Sequence, residues 1–224
     1  MTEITDTTPD RAALEHLSRE GAPVALRGCD LEALDLGGLD LSGWEFERCT
    51  LRATQFNGAR LEAARFTGCR GAGAGFVGAD LLDAVIEGGD FSNAGFRGAT
   101  LTDATIRRCK LTGADLTDAQ AIGLNLEDVL LVLAVLPKLS FRKQTLTRVD
   151  FSDADLRACD FREAVFDDCS LREAHLVDCR FEGADLRGAD LGGVRLTDAK
   201  RFQGAVISKA QAADLLGQLG LKVL

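Results

Sequence analysis

The chain has 224 residues and a formal net charge of −9, so it is a poor ligand for DNA or anionic lipid, both of which are polyanions. Its longest apolar run, Val129 to Leu136, falls far short of the roughly 20 residues that cross a bilayer. The seven cysteines are an odd number, which argues against a complete disulfide framework; with neither a basic start nor an apolar stretch after Met1, a cytoplasmic chain with reduced thiols is expected.

Residues 1–23 precede any repeat. Within them, 9–20 read as a short helix that Thr8 can cap, that Pro9 suits at its first position and that Gly21 ends. Ala13, Leu14 and Leu17 lie along one face, placed to cover the element that follows.

From Leu26 a five-residue period takes over. Stepping by five to Leu196 gives 35 positions, and 33 hold Leu, Phe or Ile, with Gly71 and Ala121 the exceptions. The residue two before these centres is mostly small: of the 35, 16 are Ala, eight are Val or Leu, four do not fit, and seven are Cys, namely Cys29, Cys49, Cys69, Cys109, Cys159, Cys169 and Cys179. Every cysteine in the chain occupies this slot. A period of five fits neither a helix nor an alternating strand. It fits a chain that turns a corner every five residues and points one large and one small side chain inward from each side. Such a coil buries its inner face only by stacking on its neighbours.

Residues 121–144 depart from the pattern. Ala121 is small at a large slot and Leu124 large at a small one. Leu130, Val132, Leu133 and Val135 fall where side chains should meet water, Pro137 follows, and Gln144 sits at an inward slot. The coil persists and exposes an apolar patch, or 126–136 bulges as a short helix, or neighbouring segments cover a local kink; the unbroken frame favours a near-regular coil. Gly71 to Gly78 is a second place where packing is thin.

After residue 205 the period ends. Ser208 and Gln211 form a capping box, Ala212, Leu215, Leu216 and Leu219 follow helical spacing, Gly220 is a natural stop, and Leu221 to Leu224 suit a short strand.

Ala184-Asp185-Leu186-Arg187-Gly188, Ala114-Asp115-Leu116-Thr117-Asp118 and Ala154-Asp155-Leu156-Arg157-Ala158 resemble the pentapeptide-repeat family across residues 24 to about 200. The resemblance implies an all-β fold, a right-handed quadrilateral β-helix with four repeats per turn, here 24–205 between an N-terminal helical segment at 1–23 and a C-terminal cap at 206–224. The tail from Gln211 to Val223 is similar to that of the fluoroquinolone-resistance members of the family. In those proteins the tail forms a homodimer, which assigns dimerisation to Leu215, Leu216, Leu219, Leu221 and Val223; the other reading of the tail is the end cap of a monomer. The same resemblance implies a DNA-mimicking binder of a type II topoisomerase, DNA gyrase or topoisomerase IV, that protects it from quinolone-type poisons. No loop interrupts the frame, so the chain looks more like the loop-less members.

The acidic residues are the candidates for that role: Asp80, Asp83, Asp90, Asp103, Asp115, Asp118, Asp153, Asp168 and Asp178. Singly each is an ordinary solvated carboxylate; on a rigid rod they repeat at every coil and act as an array. The alternative is a scaffolding module that binds another partner through the apolar patch at 126–137. Catalysis finds no support. His16 and His175 have no nucleophile beside them, and the cysteines read as buried apolar residues with no metal spacing. Gly73, Gly75 and Gly78 match a dinucleotide fingerprint by spacing only, since the five-residue frame runs straight through them. No cofactor or metal is expected.

Overall fold

The computed structural model describes residues 2–194, 199–218 and 220–222. Its centre is a parallel β-solenoid. Phe46 lies opposite Leu26, Phe66 opposite Phe46, and Ile86 opposite Phe66, so one coil comprises four five-residue sides. We number the sides one to four by their first centres, Leu26, Leu31, Leu36 and Leu41. Sides two and four face away from each other across the square.

Regular strands gather on side one. After β1 (Thr2–Thr5), the first coil opens with β2 (Val24–Arg27), followed by β3 (Glu45–Glu47), β4 (Arg65–Thr67), β5 (Val85–Glu87), β6 (Thr105–Lys110), β7 (Asn125–Leu130), β8 (Thr145–Asp150) and β9 (Val165–Asp167). Two short strands, β10 (Cys169–Ser170) and β11 (Ala189–Asp190), continue the ladder on side two. Every pairing is parallel and links neighbouring coils. The other sides pair through single bridges between equivalent positions of successive coils, such as Asp30 with Thr50 and Asp35 with Gln55.

Backbone chemistry dictates what stands at the corners. Every fifth residue from Gly28 to Gly183 has φ between 51° and 73°. That left-handed region clashes with Cβ and suits Gly, then Asp and Asn. Asp83, Asp103, Asp118, Asp153, Asp168 and Asp178 all hold such corners. The abundance of Gly and Asp is therefore a requirement of the turns before it is anything else.

Inside, the centres form columns of like side chains. Phe56, Phe76 and Phe96 stack at 5.0 and 4.8 Å, and Phe141, Phe161 and Phe181 at 5.2 and 5.1 Å. Each fully buried ring contributes on the order of 1.5–3 kcal/mol. Leu124 and Leu139, both large residues at small slots, are buried, as is the small centre Ala121. The coil through 121–144 keeps its register: β7 pairs with β8, and Val135 bridges Asp115 and Asp155. A bulged helix is thereby ruled out there.

The ends are capped, with two departures from expectation. Helix α1 (Arg11–Glu20) is capped by Asp10, whose carboxylate accepts from the Ala13 N–H at 2.8 Å, and not by Thr8; Gly21 ends it at φ 70°. Leu14 is fully buried and Leu17 packs beside the core, while Ala13 is exposed. The second departure is β1, which pairs with β2 and hydrogen-bonds the first coil's open edge; a four-residue polar strand carries no periodicity by which to read it.

At the far end the frame slips. The Glu173 N–H bonds the carbonyl of Gly192, which is the regular step between coils, whereas the Phe181 N–H bonds that of Arg201, where the regular step would fall on Lys200. One extra residue has entered between Gly192 and Arg201, and Phe202 takes the column place, stacking on Phe181 at 4.9 Å. A 3-10 turn (Ala199–Phe202) leads to α2 (Lys209–Gly217), which carries the reciprocal Ser208–Gln211 capping box. Gln211 also donates to the Leu186 and Ala189 carbonyls, both at 2.7 Å, and so ties the helix to the last coil.

Candidate interaction surfaces

The seven cysteines are buried and free, and geometry explains their slot. The thiols of Cys49, Cys69, Cys109, Cys159, Cys169 and Cys179 donate to the centre carbonyls of Leu26, Phe46, Ile86, Leu136, Leu146 and Leu156, at 2.9–3.4 Å and always 23 residues back. Thr54 does the same to Leu31 at 2.7 Å. A small residue with a donor satisfies a carbonyl of the preceding coil. Burial pushes the Cys109 and Cys169 thiols up, and Cys179 to about 12, which leaves them as thiols at neutral pH. Among the described residues no cluster of His, Cys, Asp or Glu could hold a metal ion.

The nine nominated acids fall on all four sides. Asp80, Asp90 and Asp115 sit just before a centre, where each accepts from the backbone N–H two residues on, in Leu82, Ser92 and Thr117. The other six hold corners. Three are ion-paired: Asp90 with Lys110 at 3.9 Å, Asp115 with Arg97 at 3.0 Å and Asp178 with Arg201 at 2.6 Å. Burial opposes ionisation of Asp90 and Asp115, yet their hydrogen bonds with Ser92 and Thr117, helped by the nearby cations, hold both below the ordinary carboxylate value. Asp153 stands on side two, and Asp168 at the corner that leaves side one.

The remaining four gather. Asp80, Asp83 and Asp103 lie on side four and Asp118 at the corner entering it, joined by Glu62, which the sequence reading did not single out. Side four presents no Lys or Arg between Arg60 and Arg142. The stretch could have been found by sorting the charges by their place in the four-repeat coil. Several carboxylates elsewhere are neutralised within the coil stack: Glu87 by Arg107 and Arg108, Glu127 and Asp128 by Arg148, Asp160 by Arg162 and Asp185 by Arg187.

The apolar patch is on the surface. Leu130 and Leu133 are 46% and 61% exposed, and Val132 and Val135 are half-buried. Leu133 stands at a corner with φ 59°. Ile122, on side four shortly before the patch, is 76% exposed.

At the C-terminal end, Leu215 is buried against the last coil, whereas Leu216 and Leu221 are exposed. Leu219 and Val223 lie outside the described residues. His175 and His16 are exposed. Among the described residues no helix is long and apolar enough to cross a membrane.

Two sequence profiles match the chain: the pentapeptide repeat region over residues 39–116, and pentapeptide repeats over 125–162 and 164–200. No curated protein sequence matches it. Among solved structures, the chain is similar to full-length QnrB1, a plasmid-mediated fluoroquinolone resistance protein, at 23% identity over 98% of each chain with a TM-score of 0.48. It is also similar to HetL, a pentapeptide repeat protein involved in heterocyst differentiation regulation from the cyanobacterium Nostoc sp. strain PCC 7120, at 21% identity over 84% of this chain and 86% of that one, with a TM-score of 0.36.

Proposed function

This chain belongs to the pentapeptide-repeat family, and from that premise we propose that it is a non-catalytic interaction rod whose side four stands in for duplex DNA in the basic groove of a type II topoisomerase, DNA gyrase or topoisomerase IV. The observation that carries the reading is the uncompensated stretch of Glu62, Asp80, Asp83, Asp103 and Asp118. It spans three coil steps, about 14 Å at the spacing of neighbouring strands. Duplex DNA would carry roughly eight phosphate charges over that length. Five carboxylates on a rigid rod are therefore more than half as dense. That field is enough to engage a groove shaped for phosphates and is weaker than DNA where DNA is abundant. The likeness of the tail to the fluoroquinolone-resistance members supports naming this enzyme class. Such a partner places the protein in the cytoplasm, where it would shield the enzyme from quinolone-type poisons.

The test is gyrase supercoiling with a fluoroquinolone present, titrating the purified protein at low salt. Supercoiling should be rescued at low protein and inhibited at high protein, and both effects should fade between about 50 and 200 mM salt as screening shortens. Replacing the five acids by Asn or Gln takes the net charge from −9 to −4 and keeps residues that tolerate the left-handed corners. That variant should fold and lose both effects. Full activity in the neutralised variant, or no effect of the parent chain at any ratio, overturns the reading.

A further inference from the structure

The column of residues just before the centres of side two is continuous and in register through eight coil-to-coil pairings, from Asp30 to Asp190. Its charges at one and at three coils from Leu130 are opposite in sign, with Lys110 lying 3.9 Å from Asp90 and Arg172 paired to Asp190 at 2.8 Å within the chain. One coil before Leu130 stands Lys110, and one coil after stands Asp150. Three coils before stands Arg70, and three coils after stands Asp190. At two coils, Asp90 mirrors Ser170, whose neighbour on the same side is Arg172.

We propose that side two is a self-complementary surface on which a second copy of this chain docks antiparallel, about a two-fold axis crossing the rod at Leu130. Such an axis, in the plane of contact and perpendicular to the rod, keeps each column opposite itself and inverts the order of coils. Lys110 then faces Asp150 of the second copy and Arg70 faces its Asp190. Asp90 meets the Ser170 and Arg172 row, and Leu130, Val132 and Leu133 meet their own equivalents at the middle. Among the outward positions between the corners of side two no like charges are brought together; at the corner that enters it Asp128 meets its own equivalent and Arg108 meets Arg148, each beside the opposite charge of Arg148 or Asp128 in its own stack. The parallel arrangement, with its axis along the rod, sets Asp150 against Asp153 and is disfavoured.

A second observation singles out the same coil. Corners from Gly28 onward hold Gly, Ala, Asp, Asn, Glu, Arg or Lys; Leu133 alone among the described corners is a branched apolar residue in the left-handed conformation. It is also 61% exposed. Leu133 thus bears a backbone cost with most of its surface left in solvent, and an outlier of this kind points to a role outside the fold. Occlusion between two copies supplies the missing burial.

The surface is small. From Arg70 to Asp190 is six coil steps, about 29 Å at strand spacing, and one side wide. That lies below a standard interface of about 800 Å² per partner, so dimerisation should be seen at tens of micromolar protein. Docking on side two leaves side four outward on both copies. The inference is independent of the topoisomerase reading and survives its failure.

The experiment is sedimentation of the full chain over a concentration series, with charge-swapped variants. To keep tail contacts separate, it is run also with Leu216→Asp and Leu221→Asp together. A concentration-dependent doubling of mass should persist in that tail variant. Lys110→Glu and Asp150→Lys should each weaken it by about tenfold, and the two combined in one chain should restore it, because the exchanged charges would again face their opposites across the axis. Leu133→Asp should abolish it without loss of thermal stability. A monomer at every concentration overturns the proposal, as does a doubling insensitive to Leu133→Asp. So does a combined swap no better than its parts, the result expected if a different protein of basic, apolar character occupies the patch.

Discussion

The ring of Phe91 occupies the space that a side chain at Gly71 would fill. The two are successive centres of side two, and a Cβ built on Gly71 would lie 2.4 Å from the ring carbons of Phe91. Gly89 makes room for the same ring, since its Cβ would lie 2.7 Å from it. Gly71 is thus an exchange of volume between coils and not a lapse in the repeat. Restoring the consensus by Gly71→Leu should destabilise the protein by about 1–3 kcal/mol through overpacking. Melting temperature read by circular dichroism should fall by several degrees, about 2–4 °C per kcal/mol for a chain of this size. Gly71→Leu combined with Phe91→Leu should recover part of that loss; an unchanged melting temperature in Gly71→Leu alone would show that Phe91 can move aside.

How much of this was readable in advance follows from the range of the interaction. The five-residue pattern is written by every coil separately, so the fold and the inward slots can be read from spacing alone. Gly71 is explained only by a residue one full coil away, and the thiols only by carbonyls of the coil before. β1 and the Asp10 cap depend on docking against a coil edge, which leaves no trace in local pattern. The acidic stretch on side four is hidden for the opposite reason: most of its residues are ordinary corner residues, and only folding the sequence at four repeats per coil shows that no cation lies among them.

Leu133 gives a prediction of the opposite sign. A left-handed L-residue costs roughly 1–2 kcal/mol, and Asp, Asn and Gly pay less. Leu133→Gly and Leu133→Asp should therefore raise the melting temperature of the monomer, by about 1–4 °C, although each removes an apolar side chain. Thermal melts at a protein concentration low enough to exclude self-association check this; a fall in melting temperature would mean that Leu133 is packed within its own chain.

The thiols should be chemically silent. All seven are buried, the carbonyls they bond would be left unpaired if they moved, and Cys179 ionises only near 12. Ellman's reagent at pH 8 should label close to none of them in the native protein and all seven in guanidinium. A thiol that reacts natively within minutes would mark a coil that opens, because reactivity requires the exposed thiolate.

Acid should loosen the rod at a definite place on the pH scale. Asp155, Asp160 and Asp185 are held below the ordinary value of 3.8, first by side-chain hydrogen bonds from Arg157, Arg162 and Arg187 and then by the backbone amides and positive charges of the same arginines. Folding therefore favours their ionised forms. The stability they contribute is present above about pH 4, where the unfolded chain is also ionised, and is lost as pH falls through their lower folded values. Melting temperature should be flat from pH 8 to 5 as far as these groups are concerned and should drop below pH 4. Ion pairs with a solvent-screened arginine contribute little singly, so removing any one by Arg→Gln should shift the melting temperature only slightly at pH 7. The triple Arg→Gln variant should bring its melting temperature closest to that of the parent at the acid end of the series, once pH has fallen through the lowered folded values; a gap that instead widens in acid would show that the arginines stabilise the coils by packing and not by charge.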